Sequence, residues 1–241
     1  MRINEDVCIG CGQCVLRCTV GAISLNDGVA EIDRDECVEC GVCYRFKVCP
    51  VGAIEQDELT WPREIRSTFS DPTTVHKATG VAGRGTEEMK TNEITGRFQP
   101  GWIGLGLEFG RPGIGARLRD VDKASQRLAR LGAHFEAQSP VTILMEDVKT
   151  GKIREDVLDE KCLSAIIECA LPVEKIRDGL KALQEVAREV DTVFTVDCIN
   201  VVAPDNSLPM EPILKEMGIA RYPNGKTNLG LGRPAYKGAA K

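Results

Sequence analysis

Beyond residue 101 the chain alternates apolar and polar positions with a regularity that the preceding stretch lacks. Ile103, Leu105, Leu107 and Phe109 recur at every second place, the period of a half-buried strand. Over residues 120–131 the spacing changes to that of a helix, with Val121, Ala124, Leu128 and Leu131 on one face and Gly132 as its stop. A second strand is predicted at 141–146, a hairpin-like charged connection at 147–156, and a third strand at 162–170 around Ile166 and Ile167. The stretch 158–171 reads almost equally well as a helix, because Leu158, Cys162, Ile166 and Cys169 nearly share a face. Pro172 then opens a helix carrying Ile176, Leu180, Leu183 and Val190 that runs to about residue 189, and the last strand is predicted at 192–199. The order is βαββαβ, a split unit whose antiparallel sheet leaves one face for another segment or subunit to cover.

The first hundred residues divide differently. Residues 1–58 form a cysteine module, 59–101 an irregular segment suited to contacting a partner or ligand, 102–200 the α+β sandwich domain, and 201–241 an extended tail. The 59–101 segment contains Trp61-Pro62, Asp71-Pro72, Gly80, Gly83, Gly85 and Gly96, and its stretch 83–92 is dense enough in hydrogen-bonding groups to serve as a recognition loop.

Composition narrows the class. At 42% hydrophobic and 28% charged residues, a 241-residue chain can bury a core. It has neither a membrane-length apolar run nor a signal-peptide pattern at its start, so a cytoplasmic location is expected. Residues 1–58 hold five basic residues against eleven acidic, a net of −6, which argues against a nucleic-acid surface there and suits docking on a basic protein. The tail reverses this, with Arg221, Lys226, Arg233, Lys237 and Lys241 and no acid after Glu216; it could embrace an acidic partner or the acidic module of its own chain.

Eight of the eleven cysteines fall between residues 8 and 49, a ligand cluster in a compartment where disulfides are rare. Cys8, Cys11, Cys14 and Cys18 form one run, and Cys37, Cys40, Cys43 and Cys49 the other, 29 residues on. The repeat extends past cysteine: Val20-Gly21-Ala22-Ile23 answers Val51-Gly52-Ala53-Ile54. Neither half has enough apolar area to stand alone, so a pseudo-twofold module is predicted. Three thiolates at i, i+3 and i+6 can wrap three irons of a cubane, and Gly10, Gly12 and Gly41 leave room for the backbone to approach. Zinc is the competing reading. Structural zinc sites usually take two cysteine pairs, whereas each half here has three evenly spaced cysteines and a remote fourth.

On these residues the module resembles the bacterial-type ferredoxins that carry two [4Fe-4S] clusters. The resemblance implies that the last cysteine of each run serves the other cluster. Cys8, Cys11, Cys14 and Cys49 would then hold one cluster, and Cys37, Cys40, Cys43 and Cys18 the second. Two departures stand out: Thr19 follows Cys18 where the family usually has proline, and five residues rather than three separate Cys43 from Cys49. The longer gap carries Tyr44 and Phe46, expected to pack in the core or shield a cluster. The C-terminal pattern matches the ferredoxin-like fold, which despite its name normally holds no iron.

Elsewhere no nucleotide-binding glycine fingerprint or phosphate loop is present. Lys90, Arg97, Arg111, Arg117 and Arg119 lie near the glycine-rich stretch 104–115 and could meet an anionic ligand or an acidic partner. Cys162, Cys169 and Cys198 read as small buried hydrophobes rather than a third metal site, and His76 and His134 sit in unrelated patterns. The expected function is electron relay within a larger, anaerobic, multi-subunit oxidoreductase, with other redox subunits as partners in a homo- or hetero-oligomer and no catalytic residue in this chain. The alternatives are a redox-responsive regulator whose C-terminal domain binds a small molecule, and a reductase with its own substrate site.

Overall fold

The computed structural model describes residues 1–77, 80, 82, 98–111 and 113–220. The recognition stretch 83–92, Lys90 and Arg97, and the basic residues of the tail from Arg221 onward lie outside the described residues.

The cysteine module contains little regular structure. Strand β1 (Arg2–Ile3) is followed by the hairpin β2 (Ile23–Asn26) and β3 (Val29–Ile32), the single-turn helix α1 (Val42–Arg45) and β4 (Ile54–Glu55). Pairing of β1 with β4 joins the two ends of the module, Arg2 opposite Glu55 and Ile3 opposite Ile54. Its core is small: Met1, Ile23, Ala30 and Ile54 with Cys14 and Cys43.

Helix α2 (Glu64–Ser70) comes next. The expectation of irregular structure from residue 59 is corrected here. Ile65 and Phe69, four residues apart and so on one helical face, enter the large core of the C-terminal region. That core is built on β5 (Trp102–Phe109), β6 (Ala116–Arg117), α3 (Leu118–Arg130), β7 (His134–Phe135), α4 (Pro140–Ile143), the hairpin β8 (Met145–Asp147) and β9 (Lys152–Ile153), β10 (Lys161–Cys162), β11 (Ala165–Pro172), α5 (Ile176–Val186), β12 (Phe194–Asn200) and α6 (Met210–Glu216). The result is a mixed α+β fold.

The main sheet is antiparallel with the order β12-β5-β11-β7. Leu105 faces Cys169 on one side and Cys198 on the other; Leu107 faces Ile167 and Val196. This row, with Ile103, Phe109 and Leu171, packs with Val121, Ala124 and Leu128 of α3 and with Ile176, Leu180 and Leu183 of α5. Two expectations need correction. Residues 141–146 do not form a strand of this sheet: Pro140 starts α4, and Met145–Asp147 pairs with β9 instead. The strand beside β11 is the two-residue β7. In addition, β5 is buried on both faces, for Gly104 and Gly106 are buried like Leu105 between them. Phe98 occupies the notch at Gly104, where a Cβ would come within 2.5 Å of its ring.

The two regions are joined by charge. Arg66 of α2, only 3% exposed, donates through Nη1 to the carbonyl oxygens of Asp35 at 2.6 Å and Cys37 at 2.9 Å, while its Nε turns to Glu160. Arg117 pairs with Asp35 at 2.7 Å and Glu36 at 2.9 Å, and Lys161 also meets Glu36. Glu39 is buried at a φ of 53°, and its carboxylate receives the Met1 amine and Arg63, each at 2.6 Å. The module's acids are thus partly neutralised inside the molecule. Arg117 meets the module's own carboxylates, and Arg119 and Arg111 are paired with Asp159 and Glu108.

Candidate metal centre

Each cysteine run is shaped by left-handed glycines. Gly10 (φ 65°) lets the loop from Cys8 to Cys14 pass so close to the hairpin turn that a Cβ there would collide with the Gly28 carbonyl oxygen. No side chain fits. Gly21 and Gly52 are equivalent in the repeat and share a conformation, φ 69° and 71°. Each is followed by an alanine whose N–H donates to the cysteine four residues earlier: Ala22 to the Cys18 sulfur at 3.1 Å, Ala53 to the Cys49 sulfur at 3.3 Å. Ala30 likewise donates to the Cys8 sulfur at 3.4 Å. Donors aimed at sulfur are the arrangement that stabilises a thiolate.

The eight cysteines fall into two groups that cross the repeat. Cys8, Cys11 and Cys14 line one hollow with Cys49, and Cys37, Cys40 and Cys43 line another with Cys18. The thiols feel one another in the same groupings. Burial raises the Cys14 thiol above its ordinary range, and Cys11 and Cys49 add to this. Burial pushes Cys43 up to about 12, with Cys40, Cys37 and Cys18 contributing. Thiols so raised must give up protons to take a metal, so holding one and folding around it are coupled.

The donor chemistry separates the candidate metals. Among the described residues no three His, Cys, Asp or Glu side chains close on a point that would hold a single ion. Zinc requires four thiolates within ~2.3 Å of one centre. Thiols spread over the wall of a hollow fit a polynuclear iron-sulfur cluster that fills the space between them.

Other sequence candidates lie apart. Cys162 and Cys169 are buried in the C-terminal core with Cys198 packed against it, and burial raises all three thiols. His76 is buried beside Phe69, and His134 stacks on Trp102 at 4.6 Å. Tyr44 and Phe46 do not enter a core: they are 45% and 74% exposed, because the longer loop carries them outward. Sequence reasoning missed Arg66 and Thr19 as parts of the site. The Thr19 hydroxyl lies 3.3 Å from the Cys40 sulfur. Its only signal was the missing proline.

A paired set of thiolate sites with little else around it defines the class of iron-sulfur electron carriers. The 4Fe-4S dicluster domain family matches residues 1–56, and through this N-terminal domain, with its two [4Fe-4S] clusters, the chain belongs to the dicluster ferredoxins. Ferredoxin YfhL of Escherichia coli is 32% identical over 76 residues, covering 27% of this chain and 88% of that protein. A component of the ion-translocating oxidoreductase complex of Methanosarcina acetivorans is 46% identical over 53 residues, 22% of this chain and 19% of its own length. A component of the H(2):CoB-CoM heterodisulfide,ferredoxin reductase of Methanothermobacter thermautotrophicus is 42% identical over 119 residues, 39% of this chain and 17% of its own. The chain therefore spans under a fifth of the length of these two larger relatives. No solved structure matches it.

Proposed function

We propose that the chain is an electron-transfer subunit of a larger oxidoreductase, with Cys8, Cys11, Cys14 and Cys49 holding one [4Fe-4S] cluster and Cys18, Cys37, Cys40 and Cys43 the other. The observation that carries the reading is the crosswise grouping of thiols around two hollows. When bound, each cluster supplies a one-electron couple. The residues do the rest. Four thiolates per site leave no coordination position for a substrate, the N–H donors of Ala22, Ala30 and Ala53 hold negative charge on sulfur, and the glycine turns fix the loops so that little rearranges when charge changes.

The C-terminal unit serves as the anchor to partner subunits. Its strand order β12-β5-β11-β7, with α3 following β5 and α5 following β11, supports a ferredoxin-like βαββαβ reading in which β7 stands as a stub of the second strand. Among the described residues no helix is long and apolar enough to cross a membrane, which suits the cytoplasmic placement we assign. Similarity to components of multi-subunit redox complexes supports a partnership with other redox proteins. Anaerobic affinity purification from the native cell tests the assignment. Copurifying redox subunits that reoxidise the reduced chain are expected; a chain isolated alone, with no partner able to exchange electrons with it, contradicts the anchoring role.

A further inference from the structure

The two thiol sets are built alike but not placed alike. Around the first, Cys11 is exposed and so is the neighbouring Ile9. Cys40 and Cys43 of the second are buried, and this set lies toward the C-terminal unit: Arg66 donates to the carbonyl of Cys37, and a Cβ on Gly115 would touch Val38 at 3.6 Å.

The sulfur donors differ in kind as well: the N–H groups of Ala30 and Ala53 serve the first set, and the Ala22 N–H with the Thr19 hydroxyl the second. In the repeat Thr19 corresponds to Pro50, each following the cysteine that crosses to the opposite set. Thr19 places a hydroxyl 3.3 Å from the Cys40 sulfur, whereas proline has neither a hydroxyl nor an N–H to offer at the matching place. A cluster-bound sulfur carries no proton, so the hydroxyl must be the donor.

We propose that Thr19, supported by Arg66, makes the Cys18/Cys37/Cys40/Cys43 site the more readily reduced of the two, so that an electron entering the chain comes to rest on the side of the C-terminal unit. The proposal rests on the ligation assigned above. Reduction adds one electron from a low-potential donor and breaks no bond; it increases negative charge on the sulfurs, and a hydrogen bond to sulfur is worth more in the more negative state. Burial opposes added charge, but the carboxylates nearest this site are neutralised in place: Asp35 and Glu36 by Arg117 and Lys161, Glu160 by Arg66, and Glu39 by Arg63 and the Met1 amine. The first site has no hydroxyl donor at the position of Pro50; its exposed Cys11 and the N–H donors of Ala30 and Ala53 favour its reduction, and the hydroxyl with the neutralised carboxylates outweighs them.

The test is an anaerobic dithionite titration of the full chain, followed by electron paramagnetic resonance, for wild type, Thr19→Val and Thr19→Ser. Valine keeps the shape and removes the donor. At a fixed potential the reduced-to-oxidised ratio of the centre that is reduced first in the wild type should fall by about three- to tenfold in Thr19→Val, tenfold corresponding to ~59 mV for one electron. The other centre should stay in place, and Thr19→Ser should restore the ratio. Iron content should be the same in all three proteins. Unchanged potentials, an equal shift of both centres, or a shift confined to the centre reduced second would overturn the inference while leaving the ligation intact. A wild type without two cluster signals would instead remove the ligation itself.

Discussion

The cysteine module and the C-terminal unit solve the problem of staying folded in opposite ways. The C-terminal unit buries a continuous apolar layer in which Leu105, Leu107, Phe109, Leu118 and Leu128 are fully inaccessible. The module has six buried residues in its core, two of them cysteines, and its strands are two to four residues long. A unit that small lacks the apolar area to offset its chain entropy, so metal ligation must do so. One region carries a fold and the other a cofactor, and the helix between them, α2, ties the second to the first through Arg66.

The largest expected effect breaks this comparison outright. Stripping iron with a chelator should release the amides of residues 1–58 to rapid hydrogen exchange while those of β5 and β11 stay protected; simultaneous loss of protection in both regions would show that the C-terminal unit also depends on the clusters. Next, Leu107→Ala should destabilise the C-terminal unit by about 2–5 kcal/mol, read by denaturant unfolding, without reducing iron content. Arg66→Ala should follow at about 3 kcal/mol, because it leaves Glu160 and the carbonyls of Asp35 and Cys37 without their buried partner. Protease cutting between residues 58 and 64 should then become faster, and an unchanged cleavage rate would mean that Arg66 is not what docks the module. Smallest of all, Arg177→Ala removes an ion pair with Glu216 at 2.5 Å on the open surface, and its melting temperature should match the wild type at moderate salt.

Much of this contrast was legible before the structure. The cysteine spacing and the 29-residue repeat pointed to paired sites because ligand geometry is local to the chain. The helices now seen as Leu118–Arg130 and Ile176–Val186, and the strands Trp102–Phe109, Ala165–Pro172 and Phe194–Asn200, left clear apolar periods. Residues 141–146 misled because a short apolar run has no distinctive period, and Ser139-Pro140 at its start favours a helical turn. The strand that does pair beside Ala165–Pro172, His134–Phe135, is too short to leave a pattern. Arg66 and Thr19 were invisible as site residues because their roles depend on where the chain returns: Arg66 reaches 29 residues back to Cys37, and Thr19 reaches 21 forward to Cys40. The burial of Gly104 escaped notice for the same reason, since Phe98 covers it only in the folded chain.

Crosswise ligation is tested most directly by comparing Cys49→Ser and Cys18→Ser with the wild type, each purified without oxygen and assayed for iron, sulfide and paramagnetic signals. The wild type should hold about eight iron and eight sulfide. Cys49→Ser should lose the same signal that Cys14→Ser loses, and Cys18→Ser the signal that Cys43→Ser loses. Pairing of Cys49 with Cys43 and of Cys18 with Cys14, or zinc in place of iron, would contradict the account.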